Sequence, residues 1–359
     1  MKARLWHEHA REIAPKPPKL RTLTDLRGLR PREADRANQE LRRWMSGQRF
    51  DWPQQQRVHT LLSDCAEDNE ILGHGAKEIF AVDATNGVGK STMVREWAMA
   101  RYKETVGAAI KSREIPTWQP SPGIYAYHVP VVWVNLSSAA SIKEFNTSIL
   151  KYLDYPVEGT IRSMNLRVSD AIDNHGIRLL VIDDAHLLNT RPTQGRDVLD
   201  HIKHINTELG ERDGTMVLVG AGLADHPLLK DPQIRCRLRY HRVTPMAIDT
   251  VAERSEWQDF LFRVEKRFLP YLPRSKPGLL AGQHAPHIWR RTQGFVGDAV
   301  ELVRLAARRG VEDESWTITR THLEDVELKV RAETHARAAA RSREQSGKRP
   351  SPARESYSR

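Results

Sequence analysis

Residues 84–92 read Ala-Thr-Asn-Gly-Val-Gly-Lys-Ser-Thr, a stretch whose residue types and spacing suit one task, holding phosphate. The candidate contacts are Asn86, Gly87, Val88, Gly89, Lys90, Ser91 and Thr92. An apolar segment, Ile79-Phe80-Ala81-Val82, precedes them, and a helix-forming one, Met93 to Tyr102, follows. A strand feeding a Gly-rich turn that opens a helix aims backbone N–H groups and the positive helix end at one point. Lys90 would set its ammonium against the outer phosphates, and the Ser91 hydroxyl would ligate magnesium. The usual spacing asks for glycine at position 84, where this chain has Ala84. A Cβ is tolerated there if the backbone stays at negative φ.

A second group of reactive residues closes Leu179-Leu180-Val181-Ile182-Asp183-Asp184-Ala185-His186. An apolar strand ending in paired carboxylates, placed after a phosphate loop with a strand between, completes a nucleotide site. It is expected to lie beside the loop strand. Asp183 is assigned to the magnesium shell, and Asp184 to polarising the attacking water. His186 is read as a packing or hydrogen-bonding neighbour of the site and not as its acid or base.

The elements that must position these residues follow from periodicity. Between 79 and about 245, apolar strands alternate with amphipathic helices, the pattern of a three-layer α/β domain with a parallel sheet. Strands are expected at Ile79–Asp83, Val129–Asn135, Leu179–Asp183 and Thr215–Gly220, with a hairpin in the insertion Lys111–His128. Helices are expected at Arg32–Trp44, Pro53–Cys65, Glu253–Phe268, Ala299–Arg309 and Thr321–Ala332. The domain expectation is a basic N-terminal extension at 1–50, a nucleotide-binding α/β domain at 51–245, an all-helical domain at 246–335 and a basic disordered tail at 336–359. Pro15-Lys16-Pro17-Pro18-Lys19 would break any early helix.

A net charge of +10 on 359 residues and a pI of about 9.7 point to a polyanionic partner, nucleic acid above all. Two cysteines, Cys65 and Cys236, exclude a disulfide framework and form no metal-ligand spacing. No apolar run reaches membrane-spanning length, and Met1–Trp6 lacks the apolar core of a signal peptide. A soluble, cytoplasmic protein is expected.

The order of phosphate loop, Ile-Asp-Asp-Ala-His, the helical run Val198–Lys203, Val217-Leu218-Val219-Gly220 and Asp231-Pro232-Gln233-Ile234-Arg235-Cys236-Arg237-Leu238 resembles the AAA+ ATPases of the TniB/TnsC type. These are DNA-transposition regulators that are also similar to the MuB protein. The resemblance covers about residues 50–330 and implies a P-loop NTPase core followed by a small helical lid. Through Asp-Pro-Gln-x-x-x-Arg it implies Arg237 as the arginine finger that reaches a neighbouring subunit's ATP, with Arg235 in reserve. It also implies an ATPase that forms a ring or filament on double-stranded DNA with ATP and Mg2+, selects a target and recruits a transposase, with an accessory transposition protein as a further partner. A helicase loader or replication initiator, or a nucleotide-gated signalling or defence scaffold, would share the core.

The chain departs from the family's pattern at three points. Asp184 stands where family members usually carry Glu. Gly220 and Ala221 occupy the place of a polar sensor after the fourth strand. Ala299 and Val300 stand where many AAA+ proteins place a lid arginine after Thr292–Asp298, and Arg304 is the nearest substitute. These departures imply slow hydrolysis, which suits a nucleotide-timed switch. Lys103, Lys111 and Arg113 are the candidate DNA contacts.

Overall fold

A computed structural model describes residues 2–137, 140–189 and 195–347. Two compact units emerge. The first joins Met1–Ala14 to Trp52–Thr244, and the second joins Pro15–Asp51 to the chain from Pro245 on.

The first unit is built on strands β1 (Ile79–Ala84), β2 (Thr117–Ser121), β3 (Ile124–Tyr127), β4 (Val131–Asn135), β5 (Leu179–Asp183), β6 (Thr215–Gly220) and β7 (Leu238–Val243). Five of them form one parallel sheet in the order β4-β5-β6-β1-β7, and β2 and β3 form a separate antiparallel hairpin. Every residue of β1, β5 and β6 is buried, as continuous apolar runs covered on both faces should be. Each large aliphatic side chain in such a run contributes about 1.5–3 kcal/mol by leaving water. The helix Pro53–Ile71, which leads into β1, and the crossover helices Lys90–Val106, Ile142–Tyr152, Ile161–Asn174 and Gly195–Gly210 complete the three layers. Pro130, which has no N–H, delays the expected second strand to Val131.

The carboxylate strand was expected beside the loop strand; the sheet corrects this. β6 lies between β5 and β1, pairing with both in parallel. The edge strand β7 was not foreseen either. Its sequence, Leu-Arg-Tyr-His-Arg-Val, is half-exposed and basic, so it carries no apolar run to read.

Residues 1–50 do not form one extension. A helix at Ala3–Arg11 docks on the α/β unit: Trp6 is fully buried and stacks on Trp133 of β4, with ring centroids 5.9 Å apart. The His7 ring accepts from the Tyr102 hydroxyl (2.8 Å) and donates to the Ser112 carbonyl (3.0 Å). The helix Pro31–Ser46 packs instead within the second unit. There Trp44 lies 6.1 Å from Phe268 and 4.6 Å from Tyr271, and Phe50 packs edge-on to Phe268.

The second unit is helical, with Val251–Phe268, Ala285–Thr292 and Val296–Glu312 around a core that includes Trp257, Phe260, Leu302 and Val303. Gly294 (φ +76°) approaches Met246 so closely that a Cβ would sit 2.0 Å from its carbonyl oxygen, so only glycine fits that turn. The expected helix Thr321–Ala332 is two helices, Arg320–Asp325 and Val330–Gly347. The Arg291 guanidinium donates to the carbonyls of Leu323, Glu324 and Val326, taking the bonds that another helical turn would have made. Residues 336–347 of the expected disordered tail continue that last helix, and 348–359 lie outside the described residues. Among the described residues, no helix is long and apolar enough to cross a membrane.

Candidate functional site

β1 ends at Ala84, which pairs with Val243 of β7 and keeps a negative φ, so the missing glycine at this position leaves the loop intact. Gly87 (φ +93°) and Gly89 (φ +102°) are left-handed, the conformations that glycine supplies without a Cβ clash. Val88 is buried between them and anchors the loop to the core, while Asn86 and Thr92 are exposed. The helix Lys90–Val106 starts immediately after Gly89, with no acid in its first turn and no side-chain cap. Its first N–H groups are therefore open to an anion. Lys90 is 8% exposed, and its ammonium rests on Asn86 Oδ1 at 3.3 Å.

The loop meets the carboxylate strand directly. The Ser91 hydroxyl donates to Asp183 Oδ1 at 2.9 Å, across 92 residues of sequence, and the Asp184 amide donates to the same oxygen at 3.0 Å. Burial holds the Asp183 carboxyl above its usual range, and the Ser91 bond opposes that shift. A hydroxyl and a buried carboxylate side by side are hard oxygen donors that fit Mg2+, which keeps several waters and takes further oxygens from phosphate. When bound, the ion would neutralise charge on the phosphate oxygens. Asp184 is half-buried and adopts a left-handed backbone (φ +55°, ψ +38°), which Asp tolerates better than most residues.

Three residues here escaped the sequence reading. Asp83, 4% exposed at the end of β1, accepts from the Tyr240 hydroxyl at 2.8 Å, and its other oxygen has no partner among the described residues. Burial and that bond push the Tyr240 phenol up to about 12. Arg242 lies opposite Asp83 in the β1–β7 register, exposed and without an ion pair among the described residues. An acid just before a phosphate loop was visible in the sequence; its partners were not, because β7 was not.

The sensor position is bare. Gly220 pairs with Asp83, and Ala221 follows it without a polar side chain. Its backbone N–H donates to His186 Nδ1 at 3.3 Å, so His186 is a hydrogen-bonding neighbour of the site. Arg304, the expected lid substitute, bonds Ser46 Oγ at 3.1 Å and lies 3.8 Å from Glu301, partners that occupy it within the helical unit.

Arg235 and Arg237 are exposed and carry no ion pair among the described residues. Asp231 caps the short helix Pro232–Arg235, its Oδ1 accepting from the amides of Gln233 and Ile234. The Arg237 carbonyl accepts from the Ile79 amide at 2.8 Å, which fixes Arg237 at the start of β1. The phosphate loop begins after the other end of that strand, roughly 17 Å away at about 3.3 Å per residue.

A parallel sheet with a phosphate loop after β1, a buried carboxylate at the end of β5 and β6 between those two strands, followed along the chain by a helical unit, has the P-loop NTPase fold of the AAA+ class. Residues 81–247 match the family model described as "Bacterial TniB protein". That span is similar to the TniB family, and the fold around it is that of the AAA+ ATPases. Among solved structures, the chain is similar to the Aeropyrum pernix ORC2 protein in its ADPNP-ADP complexes (13% identity, 79% of this chain and 67% of that one, TM-score 0.50). It is also similar to Cdc6p from Pyrobaculum aerophilum (15%, 78% and 69%, TM-score 0.51). Drosophila ORC bound to DNA is a third likeness (12%, 95% and 75%, TM-score 0.52). At these identities the likenesses speak for the fold alone. No curated protein sequence matches the chain.

Proposed function

We propose that this protein is an ATP-dependent, DNA-binding regulator of DNA transposition. It would bind ATP and Mg2+ between subunits, assemble on duplex DNA, mark a target and recruit a transposase. The observation that carries the reading is the distance between Arg237 and the phosphate loop of its own chain. An exposed guanidinium without an ion pair among the described residues, at the opposite end of β1, lies too far to reach that loop, which supports a role for it at a neighbour's site. The TniB match over 81–247 supports the choice of transposition.

Within one subunit, the loop amides and Lys90 hold the phosphates, while Ser91 and Asp183 hold the metal. Asp184 orients water toward the terminal phosphorus. Arg237 from the neighbour adds charge as the transition state forms, so hydrolysis depends on assembly. Because ATP favours the assembled state, its conversion to ADP favours release. Lys103, Lys111 and Arg113 are exposed, without ion pairs among the described residues, and available to DNA phosphates.

Electron microscopy of the protein on duplex DNA, with ATP, a non-hydrolysable analogue and ADP, tests the reading. DNA-bound oligomers are expected with ATP and the analogue, and few with ADP. Equal assembly in all three states would refute a nucleotide switch.

A further inference from the structure

Strand β6 ends without a polar side chain at the place where a terminal phosphate needs a donor, and the packing keeps it so. A Cβ on Gly220 would lie 2.7 Å from the side chain of Leu223, which is fully buried. Ala221 is half-buried at negative φ and offers only its amide. That amide is not idle. It donates to His186 Nδ1, from the turn that follows the paired carboxylates.

This bond fixes the state of the ring. A backbone N–H can only donate, so Nδ1 must be the bare nitrogen and the proton of the neutral ring sits on Nε2. Nε2 has no partner among the described residues. The ring therefore carries one committed acceptor and one uncommitted donor. It bridges the C-terminal ends of β5 and β6, next to the β1 end where the loop begins. A second imidazole lies beside it: burial, with His186 close by, keeps the pKa of His226 low. Its Nδ1 accepts from the Leu228 amide at 3.3 Å.

We propose that His186 is the phosphate-sensing residue of this chain, replacing the side chain that β6 lacks. Its Nε2–H donates a hydrogen bond to a terminal phosphate oxygen, and the bond strengthens as charge builds there during hydrolysis. The inference rests on the ATPase reading of the same site. The reaction is unchanged. The oxygen of water bonds the terminal phosphorus, the bond to the bridging oxygen breaks, and ADP leaves with that electron pair. The water proton passes to Asp184 and then to solvent, while His186 keeps its own.

The test compares kcat with ATP affinity in the full chain on duplex DNA. His186→Phe keeps the ring volume without either nitrogen and should lower kcat about 100-fold, with the Kd for ATP within about threefold. Adding Ala221→Asn to that variant returns an amide donor to the end of β6 and should recover at least about tenfold of the loss. His186→Gln, which keeps a donor near the reach of Nε2, should stay within about tenfold of the parent and covers the case in which the Phe variant folds poorly. An unchanged kcat in His186→Phe overturns the proposal. So does a parallel loss of ATP affinity, a Gln variant as slow as the Phe variant, or no recovery with Ala221→Asn. A parent protein that binds no ATP would instead bring down the ATPase reading, and this proposal with it.

Discussion

At the scale of single residues, the site separates holding phosphate from cutting it. The residues proposed to hold phosphate and metal are all in place: two left-handed glycines, the Lys90 ammonium, the Ser91 hydroxyl and the buried Asp183. The cutting parts are reduced. Asp184 is one methylene shorter than Glu, β6 supplies no polar side chain, and Arg237, proposed to add charge, lies at the far end of β1 from its own loop. Lys90→Ala should therefore abolish nucleotide binding. Arg237→Ala should leave the binding of labelled ATP within about threefold while lowering DNA-stimulated turnover at least about 10²-fold, towards the range lost with a trans arginine. If the Arg237 variant retained DNA-stimulated turnover, Arg235 would become the candidate.

At the scale of elements, buried polar groups decide how firmly the scaffold holds the site. His201, on the helix Gly195–Gly210, bonds Asn146 Oδ1 at 2.8 Å, and burial lowers its pKa to about 4, with His204 adding to the shift. The folded ring stays neutral while the unfolded one takes up a proton below about pH 6.5. The corresponding stability is whole above pH 6.5 and is lost as pH falls toward 4. Between pH 7.5 and pH 5 the parent should lose about 2 kcal/mol more than His201→Gln in urea titrations; parallel losses would show that His201 is not the titrating group. In the helical unit, Glu265 is 4% exposed and accepts from the amides of Gly278 (2.5 Å), Leu280 (2.8 Å) and Ala281 (3.2 Å). These bonds hold the π-helical turn Leu279–Gln283. Glu265→Ala would leave three amides without their acceptor and should cost about 3 kcal/mol of unfolding free energy. A change below about 1 kcal/mol would mean that water replaces the carboxylate freely.

At the scale of the molecule, the chain passes between its two units three times, near residues 14, 51 and 244. The first crossing exists because Trp6 and His7 tie the opening helix to the α/β unit. Trp133, beneath Trp6, also lies under the Arg95 guanidinium of the phosphate-loop helix, at 5.1 Å from the ring centroid. Docking of the first residues thus touches the helix that follows the phosphate loop. Trp6→Ala should destabilise the α/β unit by about 3 kcal/mol. Differential hydrogen exchange should show the loss of protection spreading into Lys90–Val106. An effect confined to residues 3–11 would separate the opening helix from the nucleotide site.

The sequence by itself determined the phosphate loop, the paired carboxylates, four sheet strands and the helical character of the second unit. Each of these is a local signal: an apolar run, a glycine spacing, or a carboxylate at a strand end. Strand order was decided only in three dimensions, because pairing joins residues far apart in the chain, and β6 reached the place between β1 and β5. The same holds for β7, whose edge position removes the apolar pattern, and for the division of residues 1–50. Trp6 and Trp44 are both buried apolar residues of helices within the first 50 residues, and only the surfaces awaiting them separate one from the other. His186 shows the same limit within the site: the sequence placed it after the carboxylates, but the Ala221 amide, 35 residues away, fixed which nitrogen is free.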